Sequence, residues 1–222
     1  QTATRRARYA YPRWAQRMPV ALLRNAAYYL LTWPLTSLVA RPHVSGRDRL
    51  EDLDGPALIV SNHVTRVDVV FILAALPPRF RHRLAVAMMG ELLEEMRHPA
   101  SDTFLGRRWV LHAQYILATA FFNVFPLPQK TGFRDSFRFA GESVDRGHSI
   151  LVFPEGGRTH DGNIQYFQPG IGILATNLHV PVVPMRIDGL YEARKSGAKC
   201  FRPGAISVTI GSPVFYAPGA DP

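Results

Sequence analysis

The sequence predicts an α/β fold: a single domain with a mixed, mostly parallel central sheet of about seven strands flanked by helices, preceded by an N-terminal amphipathic helix. Three observations predict it. Short apolar runs of strand length alternate with longer helix-like segments. The prolines Pro77, Pro78, Pro126, Pro128, Pro181 and Pro203 fall mostly between those segments, where proline is tolerated. The 222 residues, 47% of them hydrophobic, suffice for one substantial core, and no long linker, repeat or low-complexity tract divides them.

The first element is the least ordinary. Arg5, Arg6, Arg8, Arg13 and Arg17 precede a mostly apolar stretch, 18–40, that carries Tyr28, Tyr29 and Trp33. A spanning helix needs about 20 apolar residues with few charges. Here Arg24 sits one turn in, and Pro34 is expected to kink or end a helix near Trp33. No small-residue cleavage site follows, which argues against a signal peptide. The stretch reads as a helix lying in a lipid–water interface, arginines toward headgroups and aromatics at the boundary. A helix packed on the domain is the alternative. Residues 1–40 are therefore expected to form a membrane-associating segment and residues 41–222 the domain proper.

Within the domain, strands are expected at 43–46, 57–61, 83–88, 122–126, 149–154, 182–187 and 205–210. Helices are expected at 67–75, 90–97, 107–119, 133–146 and 170–177. The run 115–125 is rich in aromatics; it fits a core helix and strand, or the lining of an apolar tunnel.

The formal charge of +9, from 26 Lys and Arg against 17 Asp and Glu, favours acidic partners. Anionic lipid, a phosphorylated substrate, coenzyme A and an acidic carrier protein all qualify. Nucleic acid is not expected, because no recognition-helix, zinc-finger or aromatic RNA-binding signature accompanies the arginines. Arg79, Arg81, Arg83, Arg107 and Arg108 read either as phosphate-meeting groups or as a solvated face. The single cysteine, Cys200, precludes an intrachain disulfide and fits a reducing compartment. The histidines are scattered without ligand spacing, so no metal is expected.

Two short segments carry chemistry. In Ser61-Asn62-His63-Val64-Thr65-Arg66-Val67-Asp68 an imidazole precedes a carboxylate by five residues, just after an apolar strand. A histidine oriented by a carboxylate is a ready general base. Five residues do not share a face of one helix, so His63 is placed in the loop and Asp68 in the first helical turn. Thr65 fits the N-cap of a capping box, with Asp68 near the third helical position. The same pattern is compatible with a helix cap and a loop histidine. In Phe153-Pro154-Glu155-Gly156-Gly157-Arg158-Thr159 a buried strand breaks into a turn at its carboxyl end, where open α/β sheets bind ligands. Glu155 and Arg158 are expected to project from this loop. Arg158 offers a planar fork suited to phosphate, and Gly156 and Gly157 allow close backbone approach. An exposed strand exit with a weak Glu–Arg pair is the alternative.

Together, and in this order, these segments resemble the motifs of the glycerolipid acyltransferase family, whose best-known members are 1-acylglycerol-3-phosphate acyltransferases. The first motif, Asn-His-x-x-x-x-Asp, is matched by Asn62, His63 and Asp68. The third, Phe-Pro-Glu-Gly-Thr-Arg-Ser, is matched by residues 153–159, with Gly157 in place of Thr and Thr159 in place of Ser. The fourth, an apolar proline-containing strand, is matched by residues 180–184. The second motif normally carries an arginine; here Gln129 stands at that place, with Lys130 beside it and Arg134 further on. The resemblance covers roughly residues 43–214.

It implies acyl transfer from acyl-CoA or an acyl-carrier protein to the hydroxyl of a lysophospholipid such as 1-acylglycerol-3-phosphate, with no cofactor beyond the donor substrate. It implies His63 as general base and Asp68 as the group that orients it. Glu155, Gly156, Arg158 and Thr159, with Lys130 and Arg134, would bind the acceptor's polar head. Partners would be membrane lipids, at the cytoplasmic face. The neutral Gln129 opens the alternative of an acceptor without that phosphate. Other readings are a non-catalytic lipid-binding module on the same fold, an acyltransferase module of a larger enzyme, and a thioester hydrolase.

Overall fold

The computed structural model describes residues 9–129, 132–196 and 205–216. Lys130 and Cys200, like Arg5, Arg6 and Arg8, lie outside the described residues. Among the described residues seven strands form one sheet: β1 (His43–Ser45), β2 (Leu58–Ser61), β3 (Leu84–Met89), β4 (Val124–Leu127), β5 (Ser149–Val152), β6 (Val182–Asp188) and β7 (Ser207–Ile210). Their order is β1-β7-β6-β2-β5-β3-β4. The strands from β6 to β4 are parallel; β7 runs antiparallel to β6, and β1 parallel to β7. The sheet is thus mixed and mostly parallel, and every strand end falls within two residues of the apolar run that predicts it.

Helices cover both faces, and the strands alternate accordingly. Ile59, Val86, Leu151, Val183 and Ile187 point into one core, and Leu58, Ala85, Phe125, Ile150 and Val182 into the other. The first core is closed by Phe71 and Ile72 of α3 (Asp68–Ala75), Leu93 of α5 (Gly90–Arg97) and Tyr115 of α6 (Leu105–Phe122). The second is closed by Phe139 and Ala140 of α7 (Phe133–Asp145) and by Leu174 and Leu178 of α8 (Pro169–Leu178). Side chains that alternate between two buried faces explain why the central strands read as unbroken apolar runs. The aromatic run divides: Tyr115 and Phe125 are core, whereas Ile116 and Leu117 are exposed. Two short helices had no periodic signal, α4 (Pro78–Arg81) and α9 (Leu190–Ser196).

Three expectations about local structure need correction. Of the two outcomes expected at Pro34, a kink or an end, the end does not occur. The backbone stays helical from α1 (Met18–Ala27) through a π-helical stretch (Tyr28–Thr32) into α2 (Trp33–Val39). The wider turn absorbs the hydrogen bond that Pro34 cannot make. Arg24 does not face headgroups. It is buried, and donates to the Ala15 carbonyl at 2.5 Å and the Ala120 carbonyl at 2.8 Å, tying α1 to α6. Burial without a counter-charge lowers its pKa to about 10. Thr65 does not cap α3, which begins at Asp68 with Val67 as N-cap. Asp68 does reach back to the Thr65 N–H at 2.9 Å, while the Thr65 hydroxyl donates to Asp68 and accepts the N–H of Val67, at 3.2 Å, ahead of the helix.

Candidate functional site

The carboxyl ends of β2 and β5 lie side by side at the centre of the sheet. The loops that leave them converge. Asn62, the first residue beyond β2, uses both ends of its amide on neighbouring β6: it donates to the Ile187 carbonyl at 2.9 Å and accepts the Ile187 N–H at 2.8 Å. This prolongs the strand pairing by one side chain and fixes where His63 emerges.

His63 is held on four sides. Its N–H donates to Glu155 Oε1 at 2.8 Å, and its carbonyl accepts the Thr159 N–H at 2.8 Å. Its ring stacks on Phe153 with centroids 4.2 Å apart and planes 21° apart. Its Nδ1 lies 2.8 Å from Asp68 Oδ2. The imidazole remains 24% exposed, while Asp68 is wholly buried.

Asp68 is the most heavily bonded group in the site. Besides His63 it accepts the Val64 N–H at 2.6 Å, the Thr65 N–H at 2.9 Å and the Thr65 hydroxyl at 2.5 Å. A carboxylate only accepts hydrogen bonds. Nδ1 of His63 must therefore carry the proton, which leaves the lone pair on Nε2 at the open side of the ring. Such an imidazole can take a proton from a hydroxyl placed against it, and the buried carboxylate then faces the cation so formed.

The second loop is as closely knit, and it corrects the reading of Glu155. Glu155 does not project. It is buried, with Oε1 on His63 and Oε2 accepting the Gln165 N–H at 2.9 Å, so its two oxygens join the loop after β2 to the loop after β5. Gly156 follows at φ +71°, a conformation that favours glycine, and its carbonyl accepts the side-chain amide of Gln129. Thr159 is also buried; its hydroxyl bonds Asn163 O at 2.8 Å and Asp161 Oδ1 at 3.1 Å. Hydrogen bonds from Asn163 and then Thr159 hold the Asp161 carboxyl down to about 2. Beyond it Ile164, Tyr166 and Phe167 stand exposed.

Of the site residues expected from sequence, the fold brings His63, Asp68, Glu155, Gly156 and Thr159 together. Arg158 is exposed on the same loop. Arg134 is exposed on the first turn of α7, beyond edge strand β4. Among the described residues no hydrogen bond or ion pair joins Arg134 to His63 or to the loop after β5. Lys130 lies outside the described residues.

Sequence reasoning missed Arg194 on α9. Its guanidinium donates to the Val64 carbonyl at 2.9 Å and the Thr159 carbonyl at 3.1 Å, bridging the two loops, and lies over the Tyr191 ring at 5.1 Å. Its position just beyond the carboxyl end of β6, the neighbour of β2, was the available signal. Among the described residues no group of three or more His, Cys, Asp or Glu is arranged to hold a metal ion.

A family model described as Acyltransferase matches residues 41–188. The chain is 25% identical over 176 residues to the 1-acyl-sn-glycerol-3-phosphate acyltransferase BAT2, chloroplastic, of Brassica napus, covering 78% of this chain and 44% of that one. It is 38% identical over 82 residues to the 1-acyl-sn-glycerol-3-phosphate acyltransferase of Pseudomonas aeruginosa, covering 36% of this chain and 31% of that one. These matches span less than half the length of those curated relatives. The fold is similar to the crystal structure of the 1-acyl-sn-glycerophosphate (LPA) acyltransferase PlsC from Thermotoga maritima. There the TM-score is 0.53 at 23% identity, over 89% of this chain and 68% of that one.

Proposed function

The chain belongs to the acyltransferase family, and on that premise we propose that it moves a fatty acyl group from a thioester, acyl-CoA or acyl-carrier protein, to the hydroxyl of a lysophospholipid such as 1-acylglycerol-3-phosphate. The observation that carries the reading is the 2.8 Å contact between His63 Nδ1 and a wholly buried Asp68, with Nε2 left open. Nε2 removes the hydroxyl proton as the oxygen attacks the thioester carbonyl. The tetrahedral intermediate collapses with loss of the C–S bond, and the proton held by His63 passes to the departing thiolate. Asp68 fixes the tautomer and faces the transient imidazolium. No enzyme nucleophile is needed.

Arg158 and the backbone at Gly157 remain open to the acceptor headgroup, whereas Glu155, Gly156 and Thr159 act by holding the loops. A second reading of the headgroup has its own support. The Gln129 amide, bonded to Gly156, is neutral, which suits an acceptor without a phosphate at that place.

Membrane association belongs to the same proposal. Among the described residues no helix is long and apolar enough to cross a membrane. Yet Leu22, Leu23, Leu30, Leu31, Trp33, Leu35 and Leu38 are all more than half exposed, as are Phe104, just before α6, and Leu105 and Trp109 within it. Apolar exposure on this scale marks an interaction face, here one suited to the cytoplasmic surface of a bilayer. Because α2 leads into β1, which starts at the carboxyl end of the sheet, this face reaches the level of His63. Exposed Ile164, Tyr166 and Phe167 would continue it toward the acyl chain.

The test is thiol release from a long-chain acyl-CoA and from an acyl-carrier protein, across a panel of lysolipids, in wild type and His63→Ala. The expected result is release that depends on one headgroup class and falls at least about 100-fold in the variant. Undiminished turnover in His63→Ala would sink the mechanism; release without acceptor would make the protein a hydrolase.

A further inference from the structure

From the far end of α3 we infer a second site, separate from His63, that binds the phosphate of a glycerophospholipid headgroup. The eight residues of α3 place its last turn about 12 Å along the helix from Asp68, at the amino end of the central strands. There Arg47, Arg79 and Arg81 line a cavity of about 310 Å³ together with Glu51, Pro77 and Pro78. That is the lower end of the range for small-molecule sites.

The three guanidiniums are fixed rather than free to wave. Arg47 donates to the Ala74 and Ala75 carbonyls, each at 2.7 Å. Arg81 donates to the Leu73 and Leu76 carbonyls at 2.7 and 2.6 Å. Arg79 donates to the Leu50 and Glu51 carbonyls. Closing the end of a helix accounts for two of these arginines. It does not account for three around one cavity, nor for the balance of charge. Among the described residues none of the three is ion-paired with a carboxylate, and Glu51 is the one acid in the lining. Asp48, Asp52 and Asp54 belong to the adjoining segment but do not line the cavity. Nη1 of Arg47, and Nε and Nη1 of Arg79, have no hydrogen-bond partner among the described residues. Three fixed guanidiniums, two of which keep nitrogens without a partner among the described residues, suit the tetrahedral oxygens of a phosphate.

The setting points to a lipid phosphate. Arg81 lies under the π-helical stretch, 4.5 Å from the Tyr28 ring centroid and 5.8 Å from that of Tyr29, and its Nη1 reaches the Tyr29 hydroxyl at 3.3 Å. The next two residues, Leu30 and Leu31, are 74% and 67% exposed. Apolar side chains inserted among acyl chains would bring the headgroup layer to the height of the arginines. None of these residues takes part in the reaction at His63, so failure of the acyl-transfer reading would leave this site standing.

The experiment compares wild type with Arg79→Gln, Glu51→Gln and, as a control for general charge, Arg138→Gln on α7. Flotation with phosphatidylcholine vesicles, with and without phosphatidylglycerol, is measured beside calorimetric titration with glycerol 3-phosphate. Arg79→Gln should weaken binding to the anionic vesicles about fivefold, the effect of one basic contact at a charged surface. Arg138→Gln should leave it within twofold, roughly the scatter expected for an exposed residue. Glu51→Gln breaks no ion pair found among the described residues; it should tighten binding, so the idea does not depend on Arg79→Gln folding well. Loss of glycerol 3-phosphate binding alone would still establish a phosphate site but assign it to a free metabolite. If Arg79→Gln and Glu51→Gln changed neither vesicle nor glycerol 3-phosphate binding, the site would be overturned.

Discussion

The two ends of the central sheet treat their buried polar groups differently. At the carboxyl end the oxygens of Asp68 and Glu155 and both ends of the Asn62 amide find donors or acceptors, across loops far apart in sequence. At the amino end the pairing is incomplete. Nη1 of Arg24, the Tyr28 hydroxyl, Oδ1 of Asn123 and Nδ1 of His148 are buried without a partner among the described residues. Unpaired buried groups cost about 1–3 kcal/mol each. The complete network surrounds one imidazole that must stand in a set tautomer. The incomplete one lies where the N-terminal helices dock, away from the imidazole to which the proposed mechanism gives the proton transfer.

The largest effect should come from breaking the complete network at its centre. Asp68→Asn replaces an acceptor by a group that is half donor, opposite His63 Nδ1 and two backbone N–H groups. Turnover should fall by about 10²–10⁴, and stability by about 1–3 kcal/mol, read from steady-state rates and urea midpoints. Turnover within twofold of wild type would show that the carboxyl end is merely well packed.

The amino end should answer to pH instead. Burial, and then the charges of Arg146, Arg24 and Arg83, lower the His148 pKa from 6.5 to about 4. Between those values the unfolded chain binds the proton and the folded chain does not. Stability from this group is therefore whole above pH 6.5 and is lost as pH falls toward 4, by on the order of 3 kcal/mol. Urea midpoints across that range should drop more steeply in wild type than in His148→Met. Parallel curves would remove His148 from the account.

A third test concerns the exposed helical face. Leu30→Asp and Leu38→Asp alter side chains that are 74% and 85% exposed, so stability should move by less than about 0.5 kcal/mol. Partition onto lipid vesicles should fall about tenfold for each, since burial of a leucine contributes about 1.5–3 kcal/mol. Unchanged partition would mean that this face meets something other than lipid.

The fold was legible because its signal is local. Alternating buried faces make apolar runs, and those runs located all seven strands. His63 and Asp68 were legible because motif and helix start sit within one loop. The role of Glu155 was not: a carboxylate after a strand reads as exposed, and only the fold shows that its two oxygens accept the N–H groups of His63 and Gln165. Arg24 misled for the same reason, since its partners are carbonyls of Ala15 and Ala120. Carbonyls carry no residue identity, so a side chain that binds them leaves no pattern in the sequence.

Arg194 gives the finest test of the carboxyl-end network, because it touches the loops and not the imidazole. It bonds the carbonyls of Val64 and Thr159, the first beside His63 and the second four residues after Glu155. Its hydrogen bonds are solvent-accessible at one side, so Arg194→Met should lower stability by only about 1 kcal/mol. If the bridge positions His63, kcat should fall about fivefold to tenfold, since a small misplacement of a reacting group is costly, while KM for the thioester stays within twofold. Arg194→Lys should recover little of the loss, because an ammonium cannot span two carbonyls as a planar fork does. A purely structural bridge would give another result: the melting temperature would drop, but kcat measured well below it would match wild type, and lysine would serve as well as methionine. That outcome would confine the positioning of His63 to Asn62, Glu155 and Asp68.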